Sequence, residues 1–414
     1  MKKSLIFGAA LMLVGAFSFQ SCANESKPGV PTEAAIDNGT ELADVIVSHA
    51  KDGVLALPKN VVELNVSADI DLSQVEIQND SPLILNVAGG VKITLGKNLN
   101  NVSINGNAEA PATIEATETV GICGTEDSPI GIANAKFVIA DNLALENAVI
   151  DATAIADPLI ALSAEGGKVK NQDVYTDADV TDFNLLGEVA IKNVMIKNLK
   201  NSIISTNGQD WALVSFIIEN SIIQLDNKDK NFIAFDATAN NKGAIKNISI
   251  KNNTIYNLKE NNSKYFIRFA NASNAAKAFG TNNNTSTFDW NISNNTIIRT
   301  MTAKDFANNI VNNAKVTNTV NNNIFYDVYR VYQFLQNNQT RETVGNFMFN
   351  DVTSPQSNDQ GRKDSNGNAY TTLLGSAPFE VPTEALDFTK ENGGLNLTPS
   401  GDAAKAGDPR WIAE

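Results

Sequence analysis

One short phrase returns along the middle of the chain and limits what that chain can fold into. An apolar residue, a spacer and a second apolar residue lead to an asparagine, and another apolar residue follows three places on. It reads Leu143/Leu145–Asn147–Ile150, Val189/Ile191–Asn193–Ile196, Phe216/Ile218–Asn220–Ile223, Ile248/Ile250–Asn252–Ile255 and Trp290/Ile292–Asn294–Ile297. A weaker copy is Val320–Asn322–Phe325, a looser early one is Leu99–Asn101–Ile104, and a late one without its asparagine ends at Met348. The i, i+2 spacing before the asparagine is strand periodicity and puts both apolar residues on one face. Asparagine tolerates a left-handed backbone, and its side chain bonds to nearby backbone groups, so it marks a corner. One such unit cannot bury its apolar face alone, so copies must stack into a solenoid.

Successive asparagines from Asn147 to Asn322 are 46, 27, 32, 42 and 28 residues apart. Paired helical repeats would carry a 3.6-residue period, and leucine-rich repeats a tight leucine-dominated one; neither is present between residues 100 and 350. The pattern predicts an all-β, right-handed parallel β-helix, with coils of about 22–25 residues and corner loops of variable length. On that estimate the 46-residue gap should hold two coils, and the shorter gaps one coil plus an insertion. Coils about 4.8 Å apart would bring equivalent asparagines into a hydrogen-bonded ladder. A disordered asparagine-rich tract is the competing reading, but the fixed offsets of Ile, Val and Phe argue against it.

The ends address the chain and close the solenoid. Lys2 and Lys3 precede an apolar run, Leu5–Phe19, which is too short for a confident membrane span and has the layout of a signal peptide over residues 1–22. Residues 23–36 are polar and carry Pro28, Gly29 and Pro31, as expected of a flexible tether. From Thr40-Glu41 a helix is expected with Leu42, Val45, Ile46 and His49 on one side. Asp52-Gly53 should stop it, and a strand should follow at Val54–Leu57, ahead of Pro58. Such a helix would cover the open edge of the first coil. The β-helix is expected over 37–350, and residues 351–414, richer in Pro, Gly and Asp, should pack on the last coils. Leu373, Leu374, Phe379, Phe388, Leu395 and Trp411 supply the apolar contacts for that docking.

Phe19-Gln20-Ser21-Cys22 resembles a bacterial lipobox, with Phe and Gln at positions usually held by Leu and a smaller residue. The resemblance implies cleavage before Cys22 and lipidation there; simple secretion with a free cysteine is the alternative. Ala23 is not the aspartate linked to inner-membrane retention, which favours the outer membrane, on its periplasmic or its cell-surface side. Helix cap, strand-Leu-Pro segment, coils and the closing Gly407-Asp408-Pro409-Arg410-Trp411 together resemble Bacteroidota lipoproteins of unknown function with a pectin-lyase-like fold. With Cys22 lipidated, Cys123 is the only other cysteine, so no intrachain disulfide forms. The formal charge is −14, and −16 once Lys2 and Lys3 leave with the signal. That balance disfavours nucleic acid and anionic membrane surfaces as partners, leaving the lipid anchor as the membrane contact.

Catalytic signals are weak. The Asn-Thr-Asp, Asp-Asp, Gly-His-Gly and Arg-Ile-Lys motifs of polygalacturonase-like hydrolases do not occur, and the one histidine, His49, falls in the cap. No metal-ligand set and no cofactor motif is read; calcium would enter only if the chain were a lyase. Two functions are carried forward. The favoured one is binding of a polysaccharide or another surface macromolecule without catalysis. The alternative is a polysaccharide lyase or glycoside hydrolase with a divergent site. For binding, the residue after the last inward apolar position should face outward: Asp151, Lys197, Gln224, Tyr256, Ile298, Tyr326, Phe349. From Tyr256 onward this column turns apolar and aromatic, either to stack on sugar rings or to lie under the tail. Tyr256, Tyr326, Tyr329 and Arg330 are the candidate ligand residues.

Overall fold

From Asn147 onward a single left-handed residue makes one corner of the coils. Asn147, Asn193, Asn220, Asn252, Asn294 and Asn322 all have φ between 52° and 57°. Each turns the chain from one short strand into the next, so a three-sided coil can close without a long loop at that corner. The computed structural model describes residues 35–79, 81–97, 99–100, 102–117, 132–134, 142–155, 158–162, 184–206, 211–235, 244–259, 264–269, 287–301, 307–308, 315–329, 331, 340–350 and 369–413.

The strands form three faces of a parallel β-helix. Sheet 1 stacks the strands that precede the corner: Trp211–Glu219, Ala244–Lys251, Thr287–Ser293, Lys315–Asn321 and Thr340–Val344. Sheet 2 stacks those that follow it: Ile222–Leu225, Thr254–Asn257, Thr296–Ile298, Ile324–Tyr326 and Phe347–Phe349. Two longer strands, Asn142–Asp151 and Asn184–Leu199, run through the corner and serve both. Sheet 3 runs from Leu99–Asn100 through Ile160–Leu162, Ile233–Phe235 and Ile267–Phe269 to Ala307–Asn308. Every strand pairing in these sheets is parallel.

Register settles which coils are neighbours. Ile191 lies beside Leu145 and Ile196 beside Ile150, so the 46 residues between Asn147 and Asn193 make one coil. The expectation of two coils there was wrong. Spacing reports only contour length, and a corner insertion adds residues without adding a rung. The 42-residue interval is likewise one coil, with Trp290 beside Ile248 and Ile292 beside Ile250.

The phrase residues point inward and are buried, from Leu145 and Ile150 to Trp290, Ile292 and Ile297. Sheet 3 adds an aromatic filling in which Phe232 stacks on Phe266 at 4.6 Å and Phe269 meets Trp290 at 5.7 Å. The turn asparagines bond along the axis: Asn193 Nδ2 donates to Asn147 Oδ1 (3.0 Å), Asn252 to Asn220 (3.2 Å) and Asn294 to Asn252 (3.2 Å). The last copy replaces asparagine by Gly345, φ +69°, where a Cβ would come 2.3 Å from Asn322 Oδ1.

A second ladder lies one residue further on and is fully inside. Asn253, Asn295, Asn323 and Asn346 are at most 3% exposed. Each of the last three accepts at Oδ1 from the amide side chain of the coil before it, at 3.0, 3.0 and 2.9 Å. Each side chain of the four also donates to a sheet 1 carbonyl: Ile218, Ile250, Ile292 or Val320. Four polar side chains are thereby buried with their bonds made, as burial requires.

At the N-terminal end, Thr40–Glu41 pairs with Glu63–Val66, and helix α1, Leu42–His49, lays Leu42 and Val45 against the first coils. The strand expected at Val54–Leu57 forms and pairs with Glu76–Asn79. Among the described residues no helix is long and apolar enough to cross a membrane. Residues 1–34, including Cys22, lie outside the described residues, as does Cys123.

Candidate functional site

The aromatic column on sheet 2 has the predicted register: Gln224, Tyr256, Ile298, Tyr326 and Phe349 lie side by side on successive coils. It is not open to a ligand. Tyr256 is 0% exposed and Tyr326 3%, packed with Phe379, Leu386, Leu397, Ala403, Ala406 and Trp411 of the C-terminal segment in a second hydrophobic cluster. Tyr326 stacks on Phe379 at 5.6 Å and meets Phe349 at 5.1 Å. Burial pushes the Tyr256 phenol far above its ordinary range, and its hydroxyl donates to Glu384 O at 3.4 Å. These two rings therefore do not stack on sugars. An apolar column on an outer face is driven out of water by whatever segment can reach it, and the chain's own tail does. Tyr329 is half-buried, with its N–H donating to Met301 O (2.9 Å). Arg330 lies outside the described residues. The guanidinium described at this corner is that of Arg299, paired with the buried Asp327 at 3.1 Å.

The tail is fastened by polar contacts as well as apolar ones. Gly407 N donates to Asn322 O (2.7 Å), and Arg410 Nη2 donates to Asn220 O (2.9 Å), so turn corners of two coils supply the acceptors. Between them Asp408 takes hydrogen bonds from the Thr254 hydroxyl (2.8 Å), Arg410 Nη1 (2.6 Å) and Arg410 N (3.0 Å). Trp411 Nε1 donates to the same Thr254 hydroxyl at 2.7 Å. Burial pushes the Asp408 carboxyl up, while the Arg410 charge and the donors pull it back. Gly407 has φ +90°, and a Cβ there would lie 2.6 Å from Thr296 Oγ1 and 3.0 Å from Ile324 Cδ1. Gly407→Val is therefore expected to lift residues 374–411 from sheet 2 without unfolding the coils. Limited proteolysis checks this: rapid cleavage within the tail, with a resistant solenoid fragment, is the expected outcome.

Sheet 1 presents a different surface. The residue just before each corner faces outward and forms a row across eleven rungs: Glu41, Asn65, Asn86, Asn105, Glu146, Lys192, Glu219, Lys251, Ser293, Asn321 and Val344. At the usual interstrand distance it is about 48 Å long. All but Ser293 are at least partly open to solvent, and all but Val344 carry hydrogen-bonding groups. Asn105 Nδ2 donates to Asn86 Oδ1 at 2.9 Å, and Lys192 pairs with Glu146 at 3.4 Å. In the middle the sign alternates, Glu146, Lys192, Glu219, Lys251, so like charges are never adjacent, and Glu219 Oε1 accepts from Ser249 Oγ at 3.1 Å. Exposed pairs of this kind contribute at most about 1 kcal/mol each, so they order the row more than they stabilise the fold. The apolar tail contacts lie on sheet 2, and the polar ones reach the turn residues Asn220 and Asn322, each one place after a member of this row. The sequence reading passed over it because it followed the position after the last inward residue. The available signal was the strongly polar residue immediately before each turn asparagine.

Among the described residues no three His, Cys, Asp or Glu side chains are grouped to hold a metal ion. His49 sits at the end of α1 with Ser48 Oγ 2.7 Å from its Nδ1.

The profile of a domain of unknown function (DUF4957) matches residues 106–258, about a third of the chain. That stretch holds the coils from the Asn147 corner to the Asn252 corner. No curated protein and no solved structure matches the chain significantly.

Proposed function

We propose that this chain is an outer-membrane lipoprotein, anchored through Cys22, whose β-helix binds a polysaccharide or another surface macromolecule without transforming it. The observation that carries the reading is the sheet 1 row: amide, carboxylate and ammonium groups at rung spacing over about 48 Å. A repeating, hydroxyl-rich polymer meets donors and acceptors at regular intervals there, and each contact adds modestly to affinity. The lipobox-like Phe19–Cys22 and the polar segment behind it support the anchor, as does the resemblance to Bacteroidota lipoproteins.

The purified chain should retain a polysaccharide on a glycan array, and Lys192→Ala/Glu219→Ala/Asn321→Ala should weaken that binding by about tenfold or more, for three lost exposed hydrogen bonds. Equal binding by the folded triple variant would remove sheet 1 from the reading. Release of reducing ends, or growth of an unsaturated uronide absorbance in the presence of calcium, would replace it with the hydrolase or lyase alternative. For the anchor, incorporation of a clickable fatty acid is expected to disappear in Cys22→Ala; label that survives would refute it.

A further inference from the structure

The middle of the sheet 1 row carries a charge pattern that the rest of the row lacks. Glu146, Lys192, Glu219 and Lys251 lie on four successive rungs, so the sign reverses at every coil. The two lysines stand two rungs apart, about 10 Å at the usual interstrand distance, and so do the two glutamates. The row positions on either side, Asn105 and Ser293, are neutral. Four charges of zero sum are thus set in an uncharged run.

Internal pairing leaves part of this charge unused. Lys192 meets Glu146 at 3.4 Å, with 34% and 31% of the two side chains exposed. Lys251 is half-buried and, among the described residues, makes no hydrogen bond or ion pair, although Glu219 is one rung away. Glu219 turns Oε1 to Ser249 Oγ instead, at 3.1 Å. A ladder that only neutralised itself would close the Glu219–Lys251 pair as it closes Glu146–Lys192. The open pair leaves an ammonium and a carboxylate oxygen to an outside ligand.

We propose that these four rungs bind a polysaccharide whose disaccharide repeat carries a carboxylate on one sugar and an ammonium on the next. In an extended chain laid parallel to the solenoid axis, each sugar spans about one rung. Its carboxylates then fall at Lys192 and Lys251, and its ammonium groups at Glu146 and Glu219. A chain with a carboxylate on every sugar would set like charges together at both glutamates. One with an ammonium on every sugar would do so at both lysines. The alternating chain meets an opposite charge on each rung, and its zero net charge avoids repulsion from a protein of formal charge −14. The inference rests on the glycan-binding reading and names the polymer class for the middle of the same row.

Calorimetric titration of the purified chain with four oligosaccharides of equal length tests it: hyaluronan, N-deacetylated hyaluronan, polygalacturonate and chitosan. Hyaluronan bears a carboxylate on every second sugar, and deacetylation turns the amide on the other sugar into an ammonium. The deacetylated form should bind at least about fivefold more tightly than the other three, and its advantage should shrink as salt rises. Lys251→Ala should weaken that binding about fivefold, as for one exposed ion pair, without moving the melting temperature. The exchange Glu219→Lys/Lys251→Glu keeps the charge count, breaks the alternation and should abolish the preference. Equal affinity for hyaluronan and its deacetylated form, or a preference that survives the exchange, overturns the inference. A lowered melting temperature in Lys251→Ala would assign that lysine to the fold and overturn it as well. If the array still shows a neutral polysaccharide bound through sheet 1, the broader reading stands; a chain that binds no glycan loses both.

Discussion

Ile250→Asp is expected to unfold the middle coils. Ile250 is fully buried in sheet 1 between Ile218 and Ile292 of the adjacent rungs, and its carbonyl accepts the Asn295 side chain at 2.7 Å. The substitution removes a fully packed aliphatic side chain and places a carboxylate where none of these neighbours can pair with it. Loss of burial and desolvation together exceed about 5 kcal/mol, comparable to the net stability of a typical domain. Ile250→Val, which removes one methylene, should cost only about 1 kcal/mol. Stacked repeats need not unfold as a unit. Hydrogen exchange resolved along the chain is therefore the measurement to make. Protection should vanish first in Trp211–Glu219, Ala244–Lys251 and Thr287–Ser293; wild-type protection there would contradict the inward assignment.

Asn295→Ala should cost about 3–5 kcal/mol, although it removes only one polar side chain. Its Oδ1 accepts from Asn253 N (3.1 Å) and Asn253 Nδ2 (3.0 Å), and its Nδ2 donates to Ile250 O and Asn323 Oδ1. All four bonds are lost in a place without solvent, and the Asn253 backbone N–H and one of its two Nδ2 hydrogens are left unpaired, the other keeping Ile218 O. The control is Asn252→Ala, one residue earlier, in the outer ladder. Its side chain is partly open, so water replaces the lost bonds, and the left-handed backbone adds about 1 kcal/mol of strain. Chemical denaturation of both variants should show a several-fold larger loss for Asn295→Ala; equal losses would mean that the inner ladder is not stabilising.

The inner ladder was legible in the sequence, as the doublets Asn252-Asn253, Asn294-Asn295 and Asn322-Asn323 and the Gly345-Asn346 pair, once the first asparagine of each was understood as the turn. What separates the two is which way each side chain points after a residue with positive φ, and that follows from the corner geometry. The alternating charges of the sheet 1 row stand in the same phrase, Glu146, Lys192, Glu219 and Lys251 each directly before a turn asparagine. Their placement on successive rungs was not legible, because the 46 residues between Asn147 and Asn193 give no sign of making one coil.

By itself the sequence determined the solenoid, its corners and its inward face. These are local and periodic properties: apolar alternation chooses a face, and asparagine permits the left-handed turn. It also determined that the column from Tyr256 to Phe349 is apolar on an outer face. Only the tertiary structure decided what covers that column, because the segment that does so is distant in sequence: Trp411 bonds Thr254, 157 residues before it, and Gly407 bonds Asn322. Coil count within the long intervals was decided there too, since insertions change contour length but not register. A contact between distant segments depends on shape and reach, which a repeating phrase does not encode.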